Sequence, residues 1–331
     1  MPFPRLALVS LPLLLGAIIA PCALARPAYK GAIIVDAATG RTLFADNADE
    51  VSPPASMTKL MTFAVMDDRI RSGAIGLKSQ IRITPEDARV AAQGDSSKVD
   101  LRAGEVIPLE ELIYAMMIKS ANDAAYAVGN AIGGNVPAFV VMMNAKARSL
   151  GMYRTTFRTP NGFPVPSHRI ADGDLTTPRD FALLCRYLLL NTDILKYTSV
   201  KTRPFAAGLG IPTTIMSNHN NLLGKVAGVD GLKTGFTNGA GFCIAATARR
   251  GGRRVIVVLM DSPDSRGRDL KTAELIDRGF AMLPLFSSSG ATARPTGDPA
   301  LRSPVSPPTL PVQAPSAPNA GPPSIQFNLP R

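Results

Sequence analysis

Three short groups of residues in this chain carry side chains suited to acyl chemistry. Ser56-Met57-Thr58-Lys59 sets a hydroxyl and an amine three positions apart. On a helix those two positions share a face, so the amine can take the proton as the hydroxyl attacks a carbonyl. The following run, "MTKLMTFAVM", is apolar almost all round, which predicts a helix running through the core. An ammonium buried there loses hydration, its proton affinity falls, and it becomes a plausible base. At the helix start Ser56 also meets free N–H groups that favour developing negative charge. The plain alternative is a capping serine and a lysine that stretches to water.

Ser120-Ala121-Asn122 interrupts two helical runs, "PLEELIYAMMIK" and "ANDAAYAVGNAI". A serine and an asparagine at such a break can point into a cleft, one to relay a proton and one to hold a substrate amide. Equally, both can do no more than end and start helices. Lys233-Thr234-Gly235, in "VDGLKTGFTNGAGF", offers a charge and a hydroxyl to a carboxylate just before a strand of small residues. Gly235 and Gly239 would let a substrate backbone approach an edge strand closely. The alternative is a surface turn with a solvated lysine. Each of the first two patterns arises about once by chance in a chain this long, and Lys-Thr-Gly about a tenth as often. Their order and settings therefore matter more than any one of them.

The elements that must position these groups follow from periodicity and punctuation. Strand-like runs at Gly31–Asp36 and Arg41–Ala45 flank Ala38-Thr39-Gly40, and runs at Gly241–Arg249 and Arg253–Met260 flank Gly251-Gly252. Each pair predicts a hairpin. Between them, helices are predicted over Ser56–Arg71, Pro108–Lys119, Ala121–Ile132, Pro137–Leu150 and Pro178–Leu190, with Asp264–Met282 closing the core. Pro at first turns and Gly past the ends set these limits. Strands at both ends with helices between predict an antiparallel sheet whose first and last strands are neighbours.

The chain ends read differently. Arg5 precedes an apolar run from Leu6 to Ala20, and Ala23-Leu24-Ala25 supplies small residues for cleavage. This predicts a signal peptide over residues 1–25 and a secreted chain in the periplasm or cell envelope; an uncleaved anchor is the alternative. Pro21 before Cys22 argues against lipidation. Residues 287–331 hold 11 of the 29 prolines, too little apolar material to offset ordering entropy, so a disordered tail is predicted. Its last residues, Ser324 to Arg331, are too short and Pro-interrupted for an amphipathic anchor. The formal charge of +11 suits a polyanionic envelope, and secretion argues against nucleic acid. With only two histidines, His168 and His219, and no Cys-x-x-Cys, no His-rich metal site is available and no cofactor is implied. Cys185 and Cys243 lie in apolar runs and read as buried thiols, with a disulfide as the alternative outside the cytoplasm.

Taken together, "PPASMTKLMT", "MMIKSANDAA" and "VDGLKTGFT" resemble the signature set of serine penicillin-recognising enzymes. The likeness is greatest to the low-molecular-mass D-Ala-D-Ala carboxypeptidases of peptidase family S11. It runs from about Pro27 to Leu283. It implies an α/β transpeptidase-like fold, an antiparallel sheet with helices on both faces, in a domain over residues 26–286. It also implies Ser56 as nucleophile, Lys59 as general base, Ser120 and Asn122 as relay and clamp, and Lys233 and Thr234 as carboxylate binders. Gly235 belongs to the same strand motif, and the N–H groups of Ser56 and Phe236 would form the oxyanion hole. Peptidoglycan stem peptides would be substrates and β-lactams covalent inhibitors. Phe236 departs from a histidine in some members, and His219 falls where some place an arginine near the substrate carboxylate; a structural histidine is the other reading. A D,D-endopeptidase, a β-lactamase and a wall-binding module remain rivals, although no class A-type acidic deacylation motif occurs.

Overall fold

The computed structural model describes residues 28–91, 97–164, 167 and 169–284. The expected signal peptide and Pro-rich tail lie outside these residues, as does His168. In chain order, β1 (Gly31–Asp36) and β2 (Thr42–Asp46) form a hairpin, and a 3-10 turn (Ala55–Thr58) leads into α1 (Lys59–Arg71). Next come β3 (Gln80–Arg82), α2 (Pro85–Ala91), β4 (Val106–Pro108) and α3 (Leu109–Tyr114), which widens into a π turn (Ala115–Lys119). Helices α4 (Asn122–Gly133), α5 (Val136–Ser149), α6 (Pro178–Asn191) and α7 (Ile194–Thr198) follow. The chain then forms β5 (Thr202–Phe205), β6 (Thr214–Ser217), β7 (Val229–Thr237), β8 (Gly241–Arg250), β9 (Arg253–Ser262) and α8 (Ser265–Met282).

The main sheet has the order β2-β1-β9-β8-β7 and is antiparallel throughout. The first and last strands of the chain's core are neighbours, as expected: Ile33 faces Val258 and Val35 faces Ile256. Strand alternation divides the sheet's two faces. Ile33, Val35, Ile256, Val258 and Met260 pack into the cluster built by α1 and α3–α6, while Ala32, Ile34, Val255, Val257 and Leu259 pack with Leu275 and Ile276 of α8. Both faces are therefore covered, the helix–sheet–helix layering that apolar runs without a polar face require.

Several boundaries show why local sequence is an incomplete guide. Thr177 caps α6, accepting from the Asp180 N–H at 3.1 Å ahead of Pro178, and Asn135 caps α5, accepting from Ala138 at 2.8 Å. Those starts follow the capping rules. Ser56, by contrast, sits in the 3-10 turn, and regular α1 begins only at Lys59. Lys-Thr-Gly lies inside a nine-residue strand, β7, rather than ahead of one. The small two-stranded pairs β3–β4 and β5–β6, with α2 and α7, are too short to leave a periodic signal. Cys185 and Cys243 are free and buried, not paired; burial pushes both thiols up, Cys243 to about 12. Among the described residues no single helix is long and apolar enough to cross a membrane; only α4 and α5 together pass by length and composition, bent by 87°.

Candidate active site

The turn that carries Ser56 is shaped by its backbone. Ala55 has a positive φ of 48°, and the Met57 N–H donates to the Pro54 carbonyl at 3.2 Å. This turn stands at the head of α1, whose first residue, Lys59, is 0% exposed. Two glycines let other segments crowd the turn. A Cβ on Gly235 of β7 would lie 2.6 Å from the Pro54 carbonyl oxygen. One on Gly162, whose φ is +74°, would lie 1.9 Å from that of Ala55. Only a residue without a Cβ permits either approach.

The Lys59 amine has three partners: Ser56 Oγ at 2.8 Å, Asn122 Oδ1 at 2.7 Å and the Asn161 carbonyl at 2.7 Å. The two amide oxygens can only accept, whereas the hydroxyl can also donate. A neutral amine satisfies all three: two N–H groups go to the amides and the lone pair receives the serine proton. Desolvation, followed by the charge of Lys233, pushes Lys59 well below the ordinary lysine range, with Asp174 and Asp123 acting against the shift. The snorkelling alternative is thereby removed, because this lysine does not reach water.

Asn122 and Ser120 arrive from the helix break. Ser120 is buried in a left-handed conformation, φ 61° and ψ 28°, and its N–H donates back to Ala115, the π-helical bond that ends the turn. Ala121 then redirects the chain into α4, so Asn122 enters at its first turn with its own N–H on the Ser97 carbonyl at 2.8 Å. Rare backbone geometry of this kind costs energy and persists only where packing imposes it.

Strand β7 forms the sheet's edge, open on one side to an added peptide strand. Lys233 is 2% exposed and its amine donates to the Thr234 carbonyl at 3.0 Å. Burial, then the Arg268 guanidinium, push it down to about 7. Thr234 is buried as well. Phe236 is 50% exposed and stacks on Phe242, ring centroids 4.2 Å apart. His219 follows β6; desolvation, then the charges of Lys233, Lys119, Lys59 and Arg268, lower it to about 4. Without a bound anion, these cations favour its neutral imidazole.

Three groups at the site escaped the sequence reading. Asn161 contributes its carbonyl, which no side-chain pattern announces. Asp174 lies buried beneath the turn. Arg268, 4% exposed in the opening turns of α8, did leave a signal: a cation near a helix N-terminus opposes the macrodipole. Its guanidinium is held by Asp269 at 2.7 Å.

The decisive comparison is with protein families. Residues 23–264 match the family model described as D-alanyl-D-alanine carboxypeptidase, Peptidase S11. This chain belongs to that family. Two S11 relatives are the D-alanyl-D-alanine carboxypeptidases DacF of Bacillus subtilis, 29% identical over 80% of this chain, and DacC of Escherichia coli, 32% identical over 75%. The chain spans 66% and 60% of their respective lengths. Penicillin-binding protein D2 of Listeria monocytogenes, solved in an ampicillin-bound form, superposes with a TM-score of 0.65 at 30% identity, covering 76% of this chain and 97% of that one. The antiparallel sheet with helices on both faces is thus the S11 fold expected from the motifs.

Proposed function

We propose that this chain is a serine-type D-Ala-D-Ala carboxypeptidase that removes the terminal D-alanine from peptidoglycan stem peptides in the cell envelope. One observation carries the reading: a fully buried lysine amine stands 2.8 Å from the Ser56 hydroxyl, with its other two partners restricted to accepting. In the proposed reaction Lys59 takes the Ser56 proton as Oγ bonds to the carbonyl carbon of the penultimate D-alanine. The backbone N–H groups of Ser56 and Phe236 receive the oxyanion. Collapse breaks the peptide C–N bond. The Lys59 ammonium returns its proton through Ser120 to the leaving amine, which departs as free D-alanine and leaves an ester on Ser56. Water, deprotonated by the Lys59 amine, attacks that ester, and Lys59 gives the proton to Ser56 Oγ as the ester bond breaks.

Lys233 and Thr234 hold the substrate's terminal carboxylate, and Gly235 lets the peptide lie along β7. An anion beside Lys233 restores the charge that burial disfavours, so substrate binding and protonation of Lys233 reinforce each other. The ampicillin complex of the Listeria relative supports the acyl-enzyme route, because a β-lactam carbonyl is attacked in the same way. The test pairs release of D-alanine from a stem pentapeptide with peptide mapping after labelled penicillin. D-alanine release by the wild type and none by Ser56→Ala, with the adduct on Ser56, are the expected results. An adduct elsewhere, or none, overturns the assignment.

A further inference from the structure

We propose that Asp174 is a positioning residue for acylation: it ties the Ser56 turn to the 158–162 loop and so holds the Asn161 carbonyl against the Lys59 amine. The inference rests on Lys59 acting as the base for Ser56. Asp174 is 6% exposed, and its carboxylate receives four donors. Thr58 Oγ1 donates to Oδ2 at 2.7 Å and Thr159 Oγ1 at 3.1 Å; the N–H groups of Arg158 and Thr159 donate to Oδ1 at 2.6 and 2.9 Å. Thr58 lies between the nucleophile and the base, on the 3-10 turn. Arg158 and Thr159 lead into the loop that presents Asn161. One carboxylate therefore bridges the two segments whose separation sets the Lys59–Asn161 contact.

Other bonds make the bridge stiff. The Thr62 hydroxyl of α1 donates to the Pro160 carbonyl at 2.5 Å, and the Gly162 N–H donates to Thr159 Oγ1 at 2.9 Å. On the far side, Leu175 and Thr156 exchange backbone bonds at 2.8 and 2.9 Å, and Thr176 does the same with Ser52 at 3.0 and 2.8 Å. Asp174 is thus fixed from behind while it grips the loop in front.

A purely structural loop tie would not need a charge, and a buried carboxylate is costly unless compensated. All four partners present hydrogens, which fits the ionised, acceptor-only form. Burial works the other way and pushes Asp174 above the usual carboxylate range, against these donors. The ionised form also supplies one of few negative charges near the base. The charges that act on Lys59 are Lys233 from β7, Asp123 from α4 and Asp174; His219, in the loop after β6, feels Lys59 in turn. Asp123 is committed to the backbone of Val99, Leu101 and Ala124, on the Asn122 side. Asp174 plays the matching part on the Asn161 side.

The experiment measures the second-order rate of Ser56 acylation by labelled penicillin between pH 5 and 10, in the full chain and two variants. Asp174→Asn removes the charge and cannot accept four donors. Its maximal rate is expected to fall about 10²-fold, the scale of a small misplacement of reacting groups. Its acid limb should move down by about one pH unit, since the ammonium loses an anion that stabilised it. Thr58→Val keeps the charge and cuts one tie, so the maximal rate should fall about 10-fold with the limb unmoved. A folded Asp174→Asn with a wild-type limb overturns the proposal whatever its maximal rate. If Asp174→Asn does not fold, Thr58→Val acylating at the wild-type rate overturns it alone. A wild type that takes no penicillin at Ser56 instead refutes the reading of the site, a distinguishable result.

Discussion

The Lys59 amine and the Asn161 carbonyl oxygen are 2.7 Å apart across 102 residues of chain. That contact, with the Asn122 bond on the other side, uses two of the amine's hydrogens and aims its remaining valence at Ser56. The buried lysine is therefore oriented as well as shifted toward its neutral form. Chain entropy alone would not close such a loop; the Asp174 and Thr62 bonds and the Gly162 approach do.

On this arrangement Lys59→Ala should fold but acylate slowly. A general base contributes about 10²–10⁴-fold, and stopped-flow penicillin binding checks the loss. Lys59→Arg should not rescue it, because a guanidinium is never a base at these pH values. Acylation by Lys59→Ala at near wild-type rate would assign the base elsewhere.

Lys233 should govern selectivity. Losing a charged hydrogen bond to the terminal carboxylate costs about 1.5–3 kcal/mol, or about 10–100-fold in kcat/KM. Lys233→Ala should therefore lose activity on free-acid D-Ala-D-Ala peptides and much less on their amides, and the wild type should prefer the free acid. If the wild type cleaves amidated or cross-linked peptides equally well and the variant is impaired on both alike, the endopeptidase reading moves ahead.

Stability should rise with pH above neutrality. Burial pushes Lys233 down to about 7 in the folded chain, against 10.5 for a solvated lysine, and Lys59 is shifted the same way. Between those values the unfolded chain binds more protons than the folded one, so unfolding free energy increases with pH. For Lys233 the window is about pH 7 to 10.5. Thermal unfolding of wild type and Lys233→Met across it should show a rising Tm in the first and a flatter profile in the second. Matching profiles would mean Lys233 is solvated.

Gly235→Ala tests the approach of β7 to the Ser56 turn. The added methyl meets the Pro54 carbonyl at 2.6 Å, backbone that cannot swing aside. Acylation should drop at least 10-fold while Tm falls by only a few degrees, since an overpacked edge costs about 1–3 kcal/mol. An unchanged acylation rate would show that the strand gives way without disturbing Ser56.

His219→Ala should leave both pH limbs in place between pH 5 and 8. With its imidazole lowered to about 4, the residue carries no charge to lose in that range. A limb that moved would make His219 one of the titrating groups.

The sequence alone determined the chemistry-bearing residue types, their order and most of the frame. Apolar runs with Gly-Gly and Ala-Thr-Gly turns marked β1, β2, β8 and β9, and first-turn prolines marked α5 and α6, because such signals are local. Ser56 and Lys59 declared themselves by spacing, and the apolar run around them foretold the lysine's burial. Only the tertiary structure decided which of these groups touch. It set Ser56 on a 3-10 turn, gave Ser120 a left-handed backbone at the expected break, and made Lys-Thr-Gly part of the sheet edge. It also brought in Asn161, Asp174 and Arg268 from distant segments. A backbone carbonyl, a buried carboxylate beneath a turn and a guanidinium behind a strand act through position, and position is the sum of packing across the whole core.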